Sequence, residues 1–73
     1  MSVPLPHCRL REVRKARGLT LRDLEALTGT SKATISRWER CVTDASLVGA
    51  LRLAWALGVR VEELFSLAPF DDD

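Results

Sequence analysis

Asparagine, glutamine and tyrosine are absent from the 73 residues, and there are only two cysteines and one histidine. Cys8 and Cys41 make no disulfide framework, and with a single histidine they make no metal site, which needs more sulfur or imidazole ligands at close spacing. His7 beside Cys8 reads as an ordinary dipeptide, so neither metal nor cofactor is expected. No apolar run approaches the ~20 residues of a membrane span, and the N-terminus lacks the basic start and apolar core of a secretion signal. A cytoplasmic, thiol-reduced setting without membrane contact is the expectation. No nucleophile, base and ligand residues cluster for catalysis, so the chain is not expected to be an enzyme or to hold a small-molecule ligand. The missing amides, with Arg outnumbering Lys nine to two, fit a GC-rich genome, and they also limit which hydrogen-bonding side chains are at hand.

What is there describes one small folded domain. The apolar content of 47% and charged content of 29% suit a globular chain near the lower end of sizes that a core stabilises without staples. Net charge is only +1, but it is unevenly spread. Residues 9 to 40 carry nine basic groups against four acidic, while residues 41 to 73 carry Arg52 and Arg60 against six acidic groups, three of them Asp71, Asp72 and Asp73. A front half at +5 and a back half at −4 is a charge asymmetry that points to a polyanion-binding surface.

The periodicity is helical from Arg9 onward. Residues 1–8, with Pro4 and Pro6, read as an extended leader. A first helix places Leu10 and Val13 on one face and stops at Gly18. Thr20 caps a second, with Asp23 completing a short-armed capping box and Leu21, Leu24 and Leu27 facing inward. Gly29 ends it, and Ser31 caps a third whose inner face is Ile35 and Trp38. After a linker over 41–44, Thr43 or Asp44 caps a fourth helix from about Ala45 to Leu57, with Leu47, Ala50, Ala54 and Leu57 inside and Gly58 as the stop. A short fifth helix includes Glu62, Glu63, Leu64 and Phe65, and Pro69 closes it. Alternating runs and hairpin dipeptides are missing, so the expected fold is all-α, a five-helix domain over 9–67 followed by an acidic tail over 68–73.

Two short helices joined by a tight glycine-containing turn, the second capped by Ser and rich in small polar and basic groups, form a helix-turn-helix. The segments Gly18-Leu19-Thr20, Gly29-Thr30-Ser31, Thr34-Ile35-Ser36-Arg37-Trp38-Glu39-Arg40 and Leu53-Ala54-Trp55-Ala56-Leu57-Gly58-Val59 carry a clear resemblance. They are similar to the lambda-repressor-like helix-turn-helix family, also called the Cro or xenobiotic-response-element type, and the likeness spans about Arg9 to Phe65. It implies that the third helix docks in the major groove of double-stranded DNA with Lys32, Ala33, Ser36 and Arg37 at base edges. Thr20, Arg22, Ser31, Thr34 and Arg40 are then the phosphate contacts, helped by first-turn N–H groups of the second and third helices. Positions 32, 33, 36 and 37 also share one helical face opposite Ile35 and Trp38. Without Asn or Gln to read adenine, Arg37 and secondarily Lys32 are expected at guanine, with Ala33 near a thymine methyl.

Three positions depart from the family pattern. Leu21 stands where members place a phosphate-binding Gln. Glu25 replaces a small residue between the second and third helices and needs a wider approach or a partner such as Arg22, Arg37 or Lys32. Cys41 follows the third helix where Gly is usual. Arg14 and Glu39 match a structural ion pair of the family.

On the fourth helix Val48, Arg52 and Trp55 form a further stripe. Either Trp55 folds back over Phe65, Leu67 or Phe70, or this stripe with Leu64, Phe65 and Phe70 meets a second copy or another protein. The expectation is a homodimeric, sequence-specific transcriptional regulator, most simply a small repressor, either of the phage Cro or immunity type or a host regulator. The alternative is an adaptor or antitoxin-like module that uses the fourth-helix face and acidic tail to bind a protein partner.

Overall fold

The computed structural model describes residues 7–40, 45–67 and 70. Helix α1 runs Leu10–Ala16, α2 Leu21–Thr28, α3 Lys32–Glu39, α4 Leu47–Leu57 and α5 Val61–Leu64. Two strands of two residues, β1 (His7–Cys8) and β2 (Phe65–Ser66), pair antiparallel with His7 opposite Ser66 and Cys8 opposite Phe65. The fold is therefore mostly helical, as expected, with one small addition. His7 and Cys8, read as part of a leader, join the last element, and Phe65, read as helical, is extended at φ −135° and ψ 136°. A non-local pairing of two-residue segments has no periodicity to announce it. The Arg9 N–H donates to the Leu64 carbonyl at 2.9 Å and continues this tie between the chain ends.

Local chemistry sets the helix boundaries. Thr20 Oγ1 accepts from the Asp23 N–H at 3.1 Å and the Asp23 carboxylate accepts from the Thr20 N–H at 2.8 Å, the reciprocal box that the sequence promised. The chain turns out of α2 at Gly29 with φ +74°, a left-handed conformation that costs a β-carbon residue dearly. Ser31 caps α3 by accepting from the Thr34 N–H at 3.2 Å. The α4 cap is Ser46, whose Oγ accepts from the Gly49 N–H at 3.0 Å, not Thr43 or Asp44; those two lie with Cys41 outside the described residues, as do 1–6, 68–69 and 71–73. Arg17 closes the other end of α4, its Nε donating to the Leu57 carbonyl at 2.9 Å.

The core is Leu10, Leu24, Ile35, Trp38, Leu53, Ala54, Leu57 and Leu64, one or more from every helix. Two expected core positions point out instead. Leu27 is exposed while Thr28 is buried, its hydroxyl donating to the Leu24 carbonyl at 2.6 Å and accepting from the Thr30 N–H at 3.2 Å. A threonine can line the inner stripe of α2 because both its hydrogen-bonding needs are met locally. Leu47 is 75% exposed, and Leu53, which the periodicity reading passed over, is fully buried. The cause is Gly49: the Trp38 indole lies against its Cα, so close that a Cβ there would overlap Trp38 Cη2. That contact turns α4 so that its inner stripe is centred on Leu53, and Leu47 is left on the flank.

Arg14 is buried within α1 and fully partnered. Its Nε donates to Glu39 Oε2 at 2.6 Å, Nη2 to Glu39 Oε1 at 3.4 Å and Nη1 to the Leu19 carbonyl at 2.8 Å. One guanidinium thus joins α1 to the end of α3 and to the turn before α2. Buried ion pairs add little net stability because desolvation offsets the attraction, but removing one partner leaves a costly unpaired charge.

Candidate nucleic-acid interface

Helices α2 and α3 are held by Leu24 and Ile35 inside and by the Gly29–Ser31 turn outside, which fixes the direction in which α3 presents its outer face. Ile35 and Trp38 are buried. On the opposite side Lys32, Ala33 and Arg37 are exposed and Ser36 half-buried, so the four residues expected at base edges share one accessible face. Arg40 and Arg22 are exposed at its margins, and Thr34 is half-buried beside the Ser31 cap. Long cationic side chains on one face of a firmly held helix have the reach and donors to hydrogen-bond base edges in a major groove.

Two of the residues expected at phosphates also cap helices. Ser31 Oγ donates to Thr34 Oγ1 at 2.9 Å while accepting from the Thr34 N–H, so it already serves the α3 cap. Thr20 serves the α2 cap in the same way, and the Asp23 carboxyl is held below its ordinary range by the Thr20 N–H and then by the Thr20 hydroxyl. Glu25 finds its partner in none of the three basic side chains considered from sequence. Its Oε2 accepts from the backbone N–H of Lys32 at 2.9 Å, at the first turn of α3. An acidic side chain of this chain therefore occupies an N–H that was expected to face a phosphate. Periodicity gives no sign of this bond, because it depends on how α2 and α3 approach in space. Leu21, another of the three departures, is half-buried and packs against the core.

The residues expected to meet a partner divide into two groups. Val48, Arg52 and Trp55 are exposed, with Trp55 at 77%. The indole does not fold back over the C-terminal segment, and Leu47 and Leu51 extend the same face. Leu64 does not belong to it: this side chain is fully buried in the chain's own core, in the same cluster as Leu10, Leu53 and Leu57. Phe65 is half-buried against the core, and Phe70 lies under the Arg9 guanidinium, 4.7 Å from ring centroid to Cζ. No group of three or more His, Cys, Asp or Glu that could hold a metal ion occurs among the described residues, and no helix there is long and apolar enough to cross a membrane.

A buried α2–α3 corner with a basic outer face on α3 defines a helix-turn-helix protein. The chain belongs to the lambda-repressor-like helix-turn-helix family, whose sequence model matches residues 10–64, from the first residue of α1 to the last of α5. It is 32% identical over 66 residues to the SPbeta prophage-derived uncharacterized helix-turn-helix-type transcriptional regulator YopS of Bacillus subtilis, a match that covers 89% of each chain. Among solved structures it is similar to the restriction-modification controller protein C.AhdI from Aeromonas hydrophila. That match has a TM-score of 0.72 and 41% sequence identity, and covers 77% of this chain and 85% of the other.

Proposed function

We propose that the chain is a DNA-binding transcriptional regulator that acts as a homodimer by placing α3 of each copy in the major groove of an operator, most simply to repress. The observation that carries this reading is the face of exposed Lys32, Ala33 and Arg37 with half-buried Ser36, on a helix whose other side is locked by Ile35 and Trp38. Membership of the family and the likeness to a regulator and a controller protein support it. Arg37 and Lys32 read guanine, Ala33 contacts a thymine methyl, and Ser36 adjusts to either neighbour. Arg22, Arg40 and Thr34 contact phosphates, with Thr20 and Ser31 contributing through the helix ends they cap. The functional unit is 9–67, with His7 and Cys8 tied to it by the strand pair and 68–73 as an acidic tail. The setting is the cytoplasm, where the operator lies.

Dimerisation follows from the size of the reading head. One eight-residue recognition helix makes few base contacts, and paired half-sites about 34–36 Å apart multiply them. Val48, Trp55 and the neighbouring Leu47 and Leu51, with Arg52 among them, supply an exposed, largely apolar surface for that pairing. The same exposed face also favours the second reading, an adaptor that docks on another protein.

Selection of binding sites from random duplexes tests the proposal. The expected result is a two-fold symmetric site with guanine at the Arg37 position, and steep loss of affinity as salt rises. In the Arg37→Ala variant, discrimination at that one position falls by about 1–3 kcal/mol. Absence of any selected sequence, with weak duplex binding at every salt concentration, refutes the DNA reading and leaves the adaptor.

A further inference from the structure

Glu25 sits at the seam between the two helices of the reading head and uses both ends of its chemistry there. Its backbone carbonyl accepts from the Gly29 N–H at 2.9 Å, closing the last turn of α2. Its carboxylate accepts from the Lys32 N–H at 2.9 Å, opening α3. One residue thereby spans the whole connection between α2 and α3. Of the neighbouring donors, the Thr34 N–H goes to Ser31 Oγ, and the Ile35 N–H makes the first intrahelical bond, to the Ser31 carbonyl at 3.0 Å.

The carboxylate is well placed where it is, because a helix N-terminus carries partial positive charge and favours an anion. For the same reason it occupies what a DNA phosphate would otherwise seek. A fixed negative charge beside Lys32 also repels the phosphate chain on any duplex, whatever its sequence. Non-specific binding rests almost wholly on phosphate electrostatics, whereas specific binding adds base contacts.

We propose that Glu25 is an affinity-limiting residue, an internal stand-in for phosphate that holds the α3 N-terminus in its docking geometry and suppresses sequence-independent DNA binding. This rests on the DNA-binding reading above. It assigns to the departure at position 25 a positioning and specificity role: the chain binds tightly only where Arg37, Lys32 and Ala33 find their bases.

Glu25→Gln is the informative substitution, because its amide oxygen can still accept from the Lys32 N–H while the charge is gone. Affinity for a random-sequence duplex of about 20 base pairs, read by fluorescence anisotropy from low to moderate salt, is expected to rise about 3- to 10-fold. Its salt dependence is expected to steepen, with the logarithmic slope growing by up to about 1. A purely structural role gives the opposite sign, since a loosened α2–α3 corner weakens binding. Glu25→Ala, which also vacates the amide, is expected to lower the melting temperature yet still bind the random duplex more tightly than the parent. Unchanged or weaker random-duplex binding by Glu25→Gln, in a preparation where the parent binds duplex and Arg37→Ala reduces selectivity, overturns the proposal and leaves the DNA reading intact. Failure of the parent to bind any duplex at low salt overturns both.

Discussion

Substituting Gly49 by alanine is the sharpest test of how the reading head is supported. In an open helix this change is favourable by about 1 kcal/mol, because glycine is the weaker helix former. Here the new Cβ would overlap Trp38 Cη2 and lie 2.9 Å from both Trp38 Cζ3 and Ser46 Oγ. Carbon atoms pack at about 3.5–4.0 Å, so the indole has to retreat by roughly 1 Å or more. Trp38 is only 7% exposed and belongs to the same cluster as Ile35 and Leu53, so there is little room to retreat. Overpacking of this kind costs about 1–3 kcal/mol, and disturbing the Ser46 cap adds up to about 1 kcal/mol. After the propensity gain is subtracted, the expected net loss is about 1.5 kcal/mol, which for a domain of this size lowers the melting temperature by about 6–12 °C. Urea unfolding followed by circular dichroism at fixed protein concentration measures it. Trp38→Phe removes the far edge of the indole, so in that background Gly49→Ala is expected to be nearly neutral or stabilising, and the difference between the two backgrounds isolates the contact. Parent-like or higher stability of the single variant would refute the argument that the indole against Gly49 sets the rotation of α4.

Three further outcomes are expected. Glu39→Ala strands the buried Arg14 guanidinium and is expected to cost about 3–5 kcal/mol, whereas the double variant Arg14→Met/Glu39→Leu recovers most of that in thermal unfolding; equal losses in single and double variants would contradict the pairing argument. The folded-state pKa of Asp23 is depressed by its bonds to Thr20, so its contribution is fully present above the unfolded carboxylate value of about 3.9 and is lost as pH falls through the lower folded value. The gap in melting temperature between parent and Asp23→Asn should therefore narrow below about pH 4, and a gap independent of pH argues against it. Trp55→Glu changes a side chain that is 77% exposed, so the stability of the single copy should move by no more than about 0.5 kcal/mol. Sedimentation should nevertheless shift from dimer toward monomer and operator binding should weaken; a parent chain that is monomeric with and without DNA removes the dimer from the mechanism.

Local signals were legible wherever a few consecutive residues decide the outcome. The Thr20–Asp23 box, the Ser31 cap and the glycine stops at Gly18, Gly29 and Gly58 were readable because capping and left-handed turns depend on side chains within three residues and on the lack of a Cβ. The α2–α3 corner and the outer face of α3 followed from those stops and from the spacing of Ile35 and Trp38. The sequence by itself thus determined that the chain is helical, where its helix-turn-helix lies and which side chains α3 exposes. Only the tertiary structure decided which way each helix is turned about its axis and what each charged group meets. Leu53 rather than Leu47 enters the core because the Trp38 indole needs the bare Cα of Gly49, a residue eleven positions away in sequence. Leu64 is internal because α5 folds against α4 with the Leu64 carbonyl tied to the start of α1, Trp55 lies on the outer face of α4, and Glu25 meets a backbone N–H instead of a basic side chain because α2 and α3 cross closely at that point. Periodicity ranks the faces of a helix, but packing against large side chains from distant elements selects among them.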